Sequence, residues 1–406
     1  MRIVDLFSGA GGLTFGFYYR LRNNSFVRNR KNTFVFANEF DRHAATAFRA
    51  NYPDIPMLQC DIKSLSEEKI QEMIGNEPVD IIIGGPPCQS FSTVGKRRYD
   101  DKAKLYTEYL RCLRIIRPKM FLFENVKGML SMREQLPVID ENGNEKVDEK
   151  GKTVTKPGRL IIDVIKEQFS AIDEQTGYTF VGEDVLDAVD YGVPQHRERV
   201  FLVGVRNDLA NQITWEYPKK ICGENKQAFL TIAEAISDLP ELGEGENITE
   251  YDAGPVNGFQ ELMRGPNDVL NCHYCGTHNE KLRRVIAAVP QGRGRQYINM
   301  LVDRGELPEY CRLTSGYANT YGRLVENRPS TTITNNMCTP SGLRCIHYDQ
   351  NRELSPREGA RIQSFPDWFV FSGEKANVTT QIGNAVPPLL ALRIARQIEK
   401  VLRVCE

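Results

Sequence analysis

The sequence contains no apolar stretch approaching the length of a membrane span. It begins with Met1-Arg2-Ile3-Val4-Asp5, a strand-like run without the basic, apolar and small-residue succession of a secretory signal. Together these absences predict a cytoplasmic protein. Excess charge is absent too, since 52 Lys+Arg against 53 Asp+Glu leave a formal −1. Any nucleic-acid partner must then be met by positive charge that is local. Two clusters supply it: Lys96-Arg97-Arg98 with Lys102 and Lys104, and the stretch from Arg283-Arg284 to Arg293-Gly294-Arg295. Ten cysteines scattered over 406 residues do not form a disulfide framework and are to be read one by one. There is no internal repeat and no low-complexity tract. With 41% hydrophobic and 26% charged residues, the chain has the makeup of a globular protein long enough for two domains.

Over roughly the first 205 residues, apolar strand-like runs alternate with helical patterns, which predicts an α/β fold with a doubly wound, mostly parallel sheet. The first strand, Arg2 to Phe7, ends in Ser8-Gly9-Ala10-Gly11-Gly12-Leu13 and leads into a helix. A glycine-rich turn there lets a ligand approach the backbone and the helix start. The second strand, Thr33 to Ala37, ends in Asn38-Glu39-Phe40-Asp41, and an acidic residue at that place suits a ribose diol. It follows Gly12 by roughly 27 residues, against roughly 20 in a dinucleotide fingerprint, and the glycines are not G-x-G-x-x-G, so a nucleoside cofactor fits better than NAD. A third carboxylate, in Asp61-Ile62, closes the run Met57 to Cys60 and suits an exocyclic adenine amine.

The organising stretch is Gly84-Gly85-Pro86-Pro87-Cys88-Gln89-Ser90-Phe91-Ser92. It follows Val79-Asp80-Ile81-Ile82-Ile83, an unbroken apolar run typical of a strand buried on both faces. Two glycines allow a sharp turn and two prolines stiffen its exit. Cys88 is thereby aimed into the crevice where open α/β sheets bind ligands, a candidate nucleophile or else a small buried hydrophobe. The next buried strand, Lys119 to Phe123, ends in Glu124-Asn125-Val126, placing an acid on the same rim. Farther on, Gly192-Val193-Pro194-Gln195-His196-Arg197-Glu198-Arg199 enters the strand Val200 to Val205. Arg197 and Arg199 face one side if extended. One can hydrogen-bond a ligand carbonyl while the other orients Glu124, or both can pair structurally with carboxylates.

Residues 131 to 158 read as an inserted surface hairpin or two. From Asn207 the alternation stops, a candidate second domain. Cys272-His273-Tyr274-Cys275 with His278 offers four potential metal ligands, but structural zinc sites usually space two ligand pairs a dozen or more residues apart, and no metal is expected. Ser355-Pro356-Arg357-Glu358 predicts a helix start. The chain closes with Gln381-Ile382-Gly383-Asn384-Ala385-Val386-Pro387-Pro388 and an amphipathic helix to Val404.

Taken in order, Asp5 to Gly12, Glu39, Asp61, Pro86-Pro87-Cys88-Gln89, Glu124-Asn125-Val126, Gln195 to Arg199, Arg328 to Thr334 and Gln381 to Pro388 resemble the DNA (cytosine-5)-methyltransferases of restriction-modification systems. The resemblance implies a class I S-adenosylmethionine-dependent methyltransferase fold with a smaller β-rich target recognition domain. Residues 1–206 would bind cofactor and catalyse, 207–353 would read DNA, 354–380 would be a hinge, and 381–406 would return to the catalytic domain. S-adenosyl-L-methionine, leaving as S-adenosyl-L-homocysteine, would meet Phe7, Gly9, Ala10, Gly11, Gly12, Leu13, Glu39, Phe40, Asp61, Ile62, Pro86, Leu105, Asn384 and Val386. Cys88 would attack C6 of a flipped-out cytosine, with Glu124, Arg199 and Arg197 as catalytic partners. Double-stranded DNA would be held by Gln89, Ser92, Lys96, Arg97, Arg98, Arg283, Arg284, Arg293 and Arg295, with Arg312 and Arg323 as further candidates. A monomer is the default expectation, because one cytosine is modified per visit; the layout resembles the modification half of a restriction system, and a cognate restriction endonuclease, where one exists, would act on the same site without a stable complex. An RNA-modifying enzyme on the same fold, or a silent DNA-binding relative, is the alternative.

Overall fold

The structure, a computed structural model, describes residues 1–87, 105–149, 151, 153–172, 177–266, 269–314, 316–317 and 320–403. Seven strands build one sheet: β1 (Arg2–Leu6), β2 (Thr33–Glu39), β3 (Met57–Gln59), β4 (Ile81–Gly84), β5 (Met120–Val126), β6 (Tyr178–Asp187) and β7 (Glu198–Arg206), in the order β6-β7-β5-β4-β1-β2-β3. From β5 to β3 all neighbours are parallel, while β7 lies antiparallel to both β5 and β6. The apolar runs explain the parallel part. Ile81, Ile82 and Ile83 are fully buried, and alternate residues feed opposite faces. Ile3, Ile83 and Leu122 join one apolar cluster, and Val4, Ile82 and Phe121 join the other. The first face is covered by the helices Gly12–Tyr18 and Pro388–Leu402, the second by Glu67–Ile74, Tyr106–Ile116 and Ile161–Ser170.

Small residues let the first face close tightly. A Cβ built on Gly16 would run into the Ala391 backbone, so the C-terminal helix packs directly on the helix that follows the glycine turn. The insertion is a hairpin, Arg133–Pro137 paired with Thr155–Leu160 and continued by the bridges Ile139 to Glu145 and Val147 to Thr153. The helix predicted at Ser355 runs Pro356–Ile362 and carries the full capping box with Glu358.

The second half departs from expectation in three ways. It is not β-rich: among the described residues of 207–353, named strands are limited to Asn247–Ile248 and His273–Tyr274, against four α-helices at Ile232–Ile236, Gly258–Arg264, Glu280–Ala288 and Arg295–Asp303. The run Arg328 to Thr334 makes no named strand: it meets the 194–196 segment in an isolated parallel bridge, Ser330 donating to the Pro194 carbonyl and accepting from the His196 amide, while the Ile333 amide donates to the Gln195 side chain. Second, the composition shift at Asn207 does not coincide with a change of core. Ile213, Ile232, Phe259 and Leu270 join the main cluster, whereas Val285, Ile298, Cys311 and Ile346 form a separate smaller one. Third, within the expected hinge, residues 354–367 are buried throughout. Arg361 pairs there with Asp238 and Asp367, all deeply buried, and the burial of three charges is sustained because each finds its opposite.

Candidate active site

Because β5, β4, β1, β2 and β3 are parallel, their carboxyl ends share one rim, and the residues singled out from sequence fall along it in that order. After β1 the chain turns through Phe7, Gly9 and Gly11 at φ 58°, 57° and 96° before entering the helix at Gly12. Gly11 is required: a Cβ there would strike the ring of Tyr52, whose hydroxyl donates to the Gly11 carbonyl at 2.7 Å. A Cβ on Gly9 would meet nothing within 4 Å, so the backbone there borders open space. Ala10 and Leu13 are buried beneath it. Gly12 abuts the returning C-terminal segment, its built Cβ lying 2.5 Å from the Val386 carbonyl oxygen, and Asn384 is exposed just before it.

One strand over, Glu39 accepts from the Gly9 and Asp41 amides, each at 2.8 Å. Burial pushes its carboxyl above the usual range, partly offset by those hydrogen bonds. Phe40 is 74% exposed beside it. Asp61, exposed, caps the short turn Ile62–Ser64, and Ile62 is buried. Leu105 precedes the helix Tyr106–Ile116 and packs, like Phe7, on the second cluster. Together, the glycine turn, two carboxylates and an exposed aromatic ring are the surfaces an adenosyl group needs: backbone approach, acceptors for hydroxyl and amine, and a stacking face.

On the other side of β1, Glu124 sits within β5 opposite Phe201 of β7. Arg199 lies two residues from Phe201 on the same face, and its Nε stands 3.1 Å from Glu124 Oε1 with both side chains 12% exposed. Burial pushes the Glu124 carboxyl up, and Arg199 and then Arg197 pull it back. Gly85 covers the pair: a Cβ there would sit 2.5 Å from Glu124 Oε2. Pro86 is buried, and its carbonyl accepts from the buried Asn125 amide at 3.2 Å, so β5 also holds the turn that leads to Cys88. Gly85 and Asn125 had been read only as part of their motifs. The signal was their adjacency to Cys88 and Glu124, but the contact itself spans two strands.

Arg197 has different partners. It is fully buried, and its two terminal nitrogens donate to the carbonyls of Ile333 and Gly383 at 2.9 and 2.7 Å. These bonds tie Arg197, one residue before the strand Glu198–Arg206, to the segments at Ile333 and Gly383. Gln195 ties the same segment, accepting from the Ile333 amide through Oε1 at 2.7 Å and donating from Nε2 to Gln363 Oε1 at 2.9 Å. The motif Gln195 to Arg199 thus buckles the second half of the chain to the strand that presents Arg199.

Among the arginines proposed for DNA, Arg323 is also structural: it is 5% exposed and donates to the carbonyls of Val289, Ile286, His347 and Gln350. Arg283 is engaged by Glu244, Arg284 by Glu280, and Arg312 by both Asp303 and Glu309. Arg295 donates to the Leu313 and Gly316 carbonyls. Arg293 is exposed and lines an open groove with Gln296, Tyr297 and Arg344. Cys88, Gln89, Ser92, Lys96, Arg97 and Arg98, with Lys102 and Lys104, lie outside the described residues.

The rim thus joins a glycine-rich turn to a Glu-Arg pair under a Gly-Pro-Pro turn. The family model for C-5 cytosine-specific DNA methylase matches residues 1–400. The chain belongs to that family. Type II methyltransferase M.DdeI of Desulfomicrobium norvegicum is 32% identical over 98% of this chain and 88% of its own length. Type II methyltransferase M1.HphI of Haemophilus parahaemolyticus is 33% identical over 98% and 86%. A prophage-encoded E. coli protein of known structure shares the fold, with TM-score 0.69, 24% identity and 99% coverage of both chains. The chain is therefore a DNA cytosine-5 methyltransferase with restriction-modification homologues, on a mainly parallel α/β sheet. Among the described residues no helix is long and apolar enough to cross a membrane.

Proposed function

We propose that this methylase transfers a methyl group from S-adenosyl-L-methionine to C5 of a cytosine flipped out of a specific duplex sequence, through a covalent bond between Cys88 and C6. The observation that carries the reading is the buried Glu124-Arg199 pair on the same rim as the glycine turn and Glu39. Phe7 to Leu13 would cradle the donor, Glu39 its ribose, Asp61 and Phe40 its adenine, with Ile62, Pro86, Leu105, Asn384 and Val386 around it. Bound there, the donor supplies an electrophilic methyl group.

The rest is the work of the chain. Cytosine C5 is a poor nucleophile until the ring gains electrons. Cys88, as thiolate, forms the bond to C6 and pushes density toward C5. Cytosine N3 needs a donor and its 4-amino group an acceptor, and a neutral carboxyl offers both. The upward-shifted Glu124 is suited to that protonated form, and Arg199 is placed to hold O2. Loss of the C5 proton and breakage of the bond to C6 then regenerate Cys88. A stacked duplex gives no access to C6, so the base must leave the helix.

Residues 207–353 would recognise the target from the major groove, where base pairs are distinguishable. Arg293 is the candidate whose side chain has no hydrogen-bond or ion-pair partner among the described residues, and Arg283, Arg284 and Arg295 would have to exchange partners to reach DNA. The protein would act as a cytoplasmic monomer, the modification half of a pair with a restriction endonuclease. Bisulfite sequencing of a methylation-free host expressing the protein, beside one expressing Cys88→Ala, tests the reading. Protection confined to one short sequence context and absent with Cys88→Ala is expected. Uniformly unprotected DNA despite soluble protein would overturn it and direct the assay to tRNA.

A further inference from the structure

Far along the chain from the catalytic motifs, three ligand types converge that sequence spacing had kept apart. Cys275 and His278 lie in the loop after His273–Tyr274, and Glu353 comes 78 residues on from Cys275, just ahead of the cap of the helix Pro356–Ile362. One ligand atom from each residue lies within 4.8 Å of the others. The two oxygens of Glu353 are used differently. Oε1 accepts from Lys375 Nζ at 2.9 Å and from the Gly276 amide at 3.3 Å. Oε2 faces inward, 2.5 Å from His278 Nε2 and 3.8 Å from Cys275 Sγ. The side chains of His278 and Glu353 are 6% and 1% exposed. Nevertheless His278 Nε2 has no hydrogen-bond partner among the described residues. A plain ion pair would direct its N–H at the carboxylate. Here the nitrogen and oxygen are close but unaligned, and to share a tetrahedral ion with bonds of about 2.0–2.2 Å they would part to roughly 3.3 Å.

We propose that Cys275, His278 and Glu353 bind one zinc ion. Sulfur, imidazole nitrogen and carboxylate oxygen are the donors zinc takes, with water in the fourth position of a tetrahedron. As the sulfur-zinc bond forms, the Cys275 proton is released to solvent, His278 ligates as neutral imidazole and Glu353 through Oε2, so two negative ligands balance the dication. Lys375 and the Gly276 amide hold the outer carboxylate oxygen, the supporting contact that fixes a ligand's orientation. The expectation of no metal rested on sequence spacing, and the third ligand lies beyond any local motif. The ion would tie the 275–278 loop to the helix Pro356–Ile362 and, through Lys375, to the helix Lys375–Asn384 that ends at the exposed Asn384. Its role is to clamp the second half of the chain to the C-terminal segment.

The test uses the full-length, untagged protein prepared without chelators. Elemental analysis should find stoichiometric zinc, and exchange for cobalt(II) should give a thiolate-to-cobalt charge-transfer band in the near ultraviolet. Cys275→Ser should abolish the band and His278→Gln should lose the metal, whereas Cys60→Ser and Cys88→Ala should keep both. X-ray absorption at the zinc edge of the wild-type protein should resolve one sulfur among nitrogen and oxygen neighbours, which requires no variant to fold. Protein that holds no zinc and takes up no cobalt would overturn the proposal, as would a cobalt band that survives Cys275→Ser.

Discussion

Substituting Gly85 by alanine should cripple catalysis while leaving the fold intact. Gly85 is not among the residues at positive φ, so alanine suits its backbone. The new methyl, however, would lie 2.5 Å from Glu124 Oε2. An ordinary contact between carbon and oxygen is about 3.3 Å or more, so the carboxylate must retreat by roughly 0.8 Å. Its main chain cannot supply the movement, because β5 is paired to β4 and β7 on either side. Rotation of the side chain would break the contact at 3.1 Å with Arg199. A misplacement near 1 Å costs on the order of 10²-fold in rate, or about 2.7 kcal/mol of barrier. Single-turnover methyl transfer to DNA, run beside thermal denaturation, measures both sides of the claim. The variant should melt like wild type, bind donor and DNA, and transfer about 10²-fold more slowly. Wild-type turnover in a normally folded Gly85→Ala protein would refute the assignment of Glu124 as a group whose position matters.

The pH profile carries a second prediction. Burial raises Glu124, and in the proposed mechanism its protonated form acts, so the Glu124 contribution should be full below that raised value and be lost as pH climbs through it, above the usual carboxylate range, while the need for a Cys88 thiolate supplies a separate limb that rises with pH. Glu124→Gln, which keeps a donor and an acceptor without titrating, should lose this falling limb and about 10²-fold in kcat; an unchanged limb would assign it to another group. Arg197→Met should act on stability, because it strands two buried carbonyls at about 1–3 kcal/mol each. Chemical denaturation should register that loss, while the folded fraction keeps far more activity than Arg199→Met does; equal losses of activity would restore Arg197 to the catalytic set.

What the sequence by itself determined lies at strand ends. A parallel strand buried on both faces must be apolar along its length, so Ile81 to Ile83 and Phe121 to Phe123 announce themselves, and the first polar or glycine residue after each marks the rim. That logic located Glu39, Asp61, Gly85 and Glu124, because local chain chemistry and position on the rim are one and the same. The capping box at Ser355 was legible for a similar reason: its partners are three residues apart. The sequence could not apportion roles that depend on what lies across a gap. Arg197 and Arg199 share a residue type and a strand approach, yet one grips the Ile333 and Gly383 carbonyls and the other Glu124. Arg323 reads as surface charge until its burial among backbone carbonyls is seen. Arg328 to Thr334 stands out in the sequence only as a motif, and its partners, the Pro194 and His196 backbone and the Gln195 side chain, lie more than a hundred residues away. Cys275 and His278 form an incomplete pair until the fold brings Glu353 to them. In each case the deciding partner is distant in the chain, and only tertiary packing, which sets what is desolvated and beside what, could choose it.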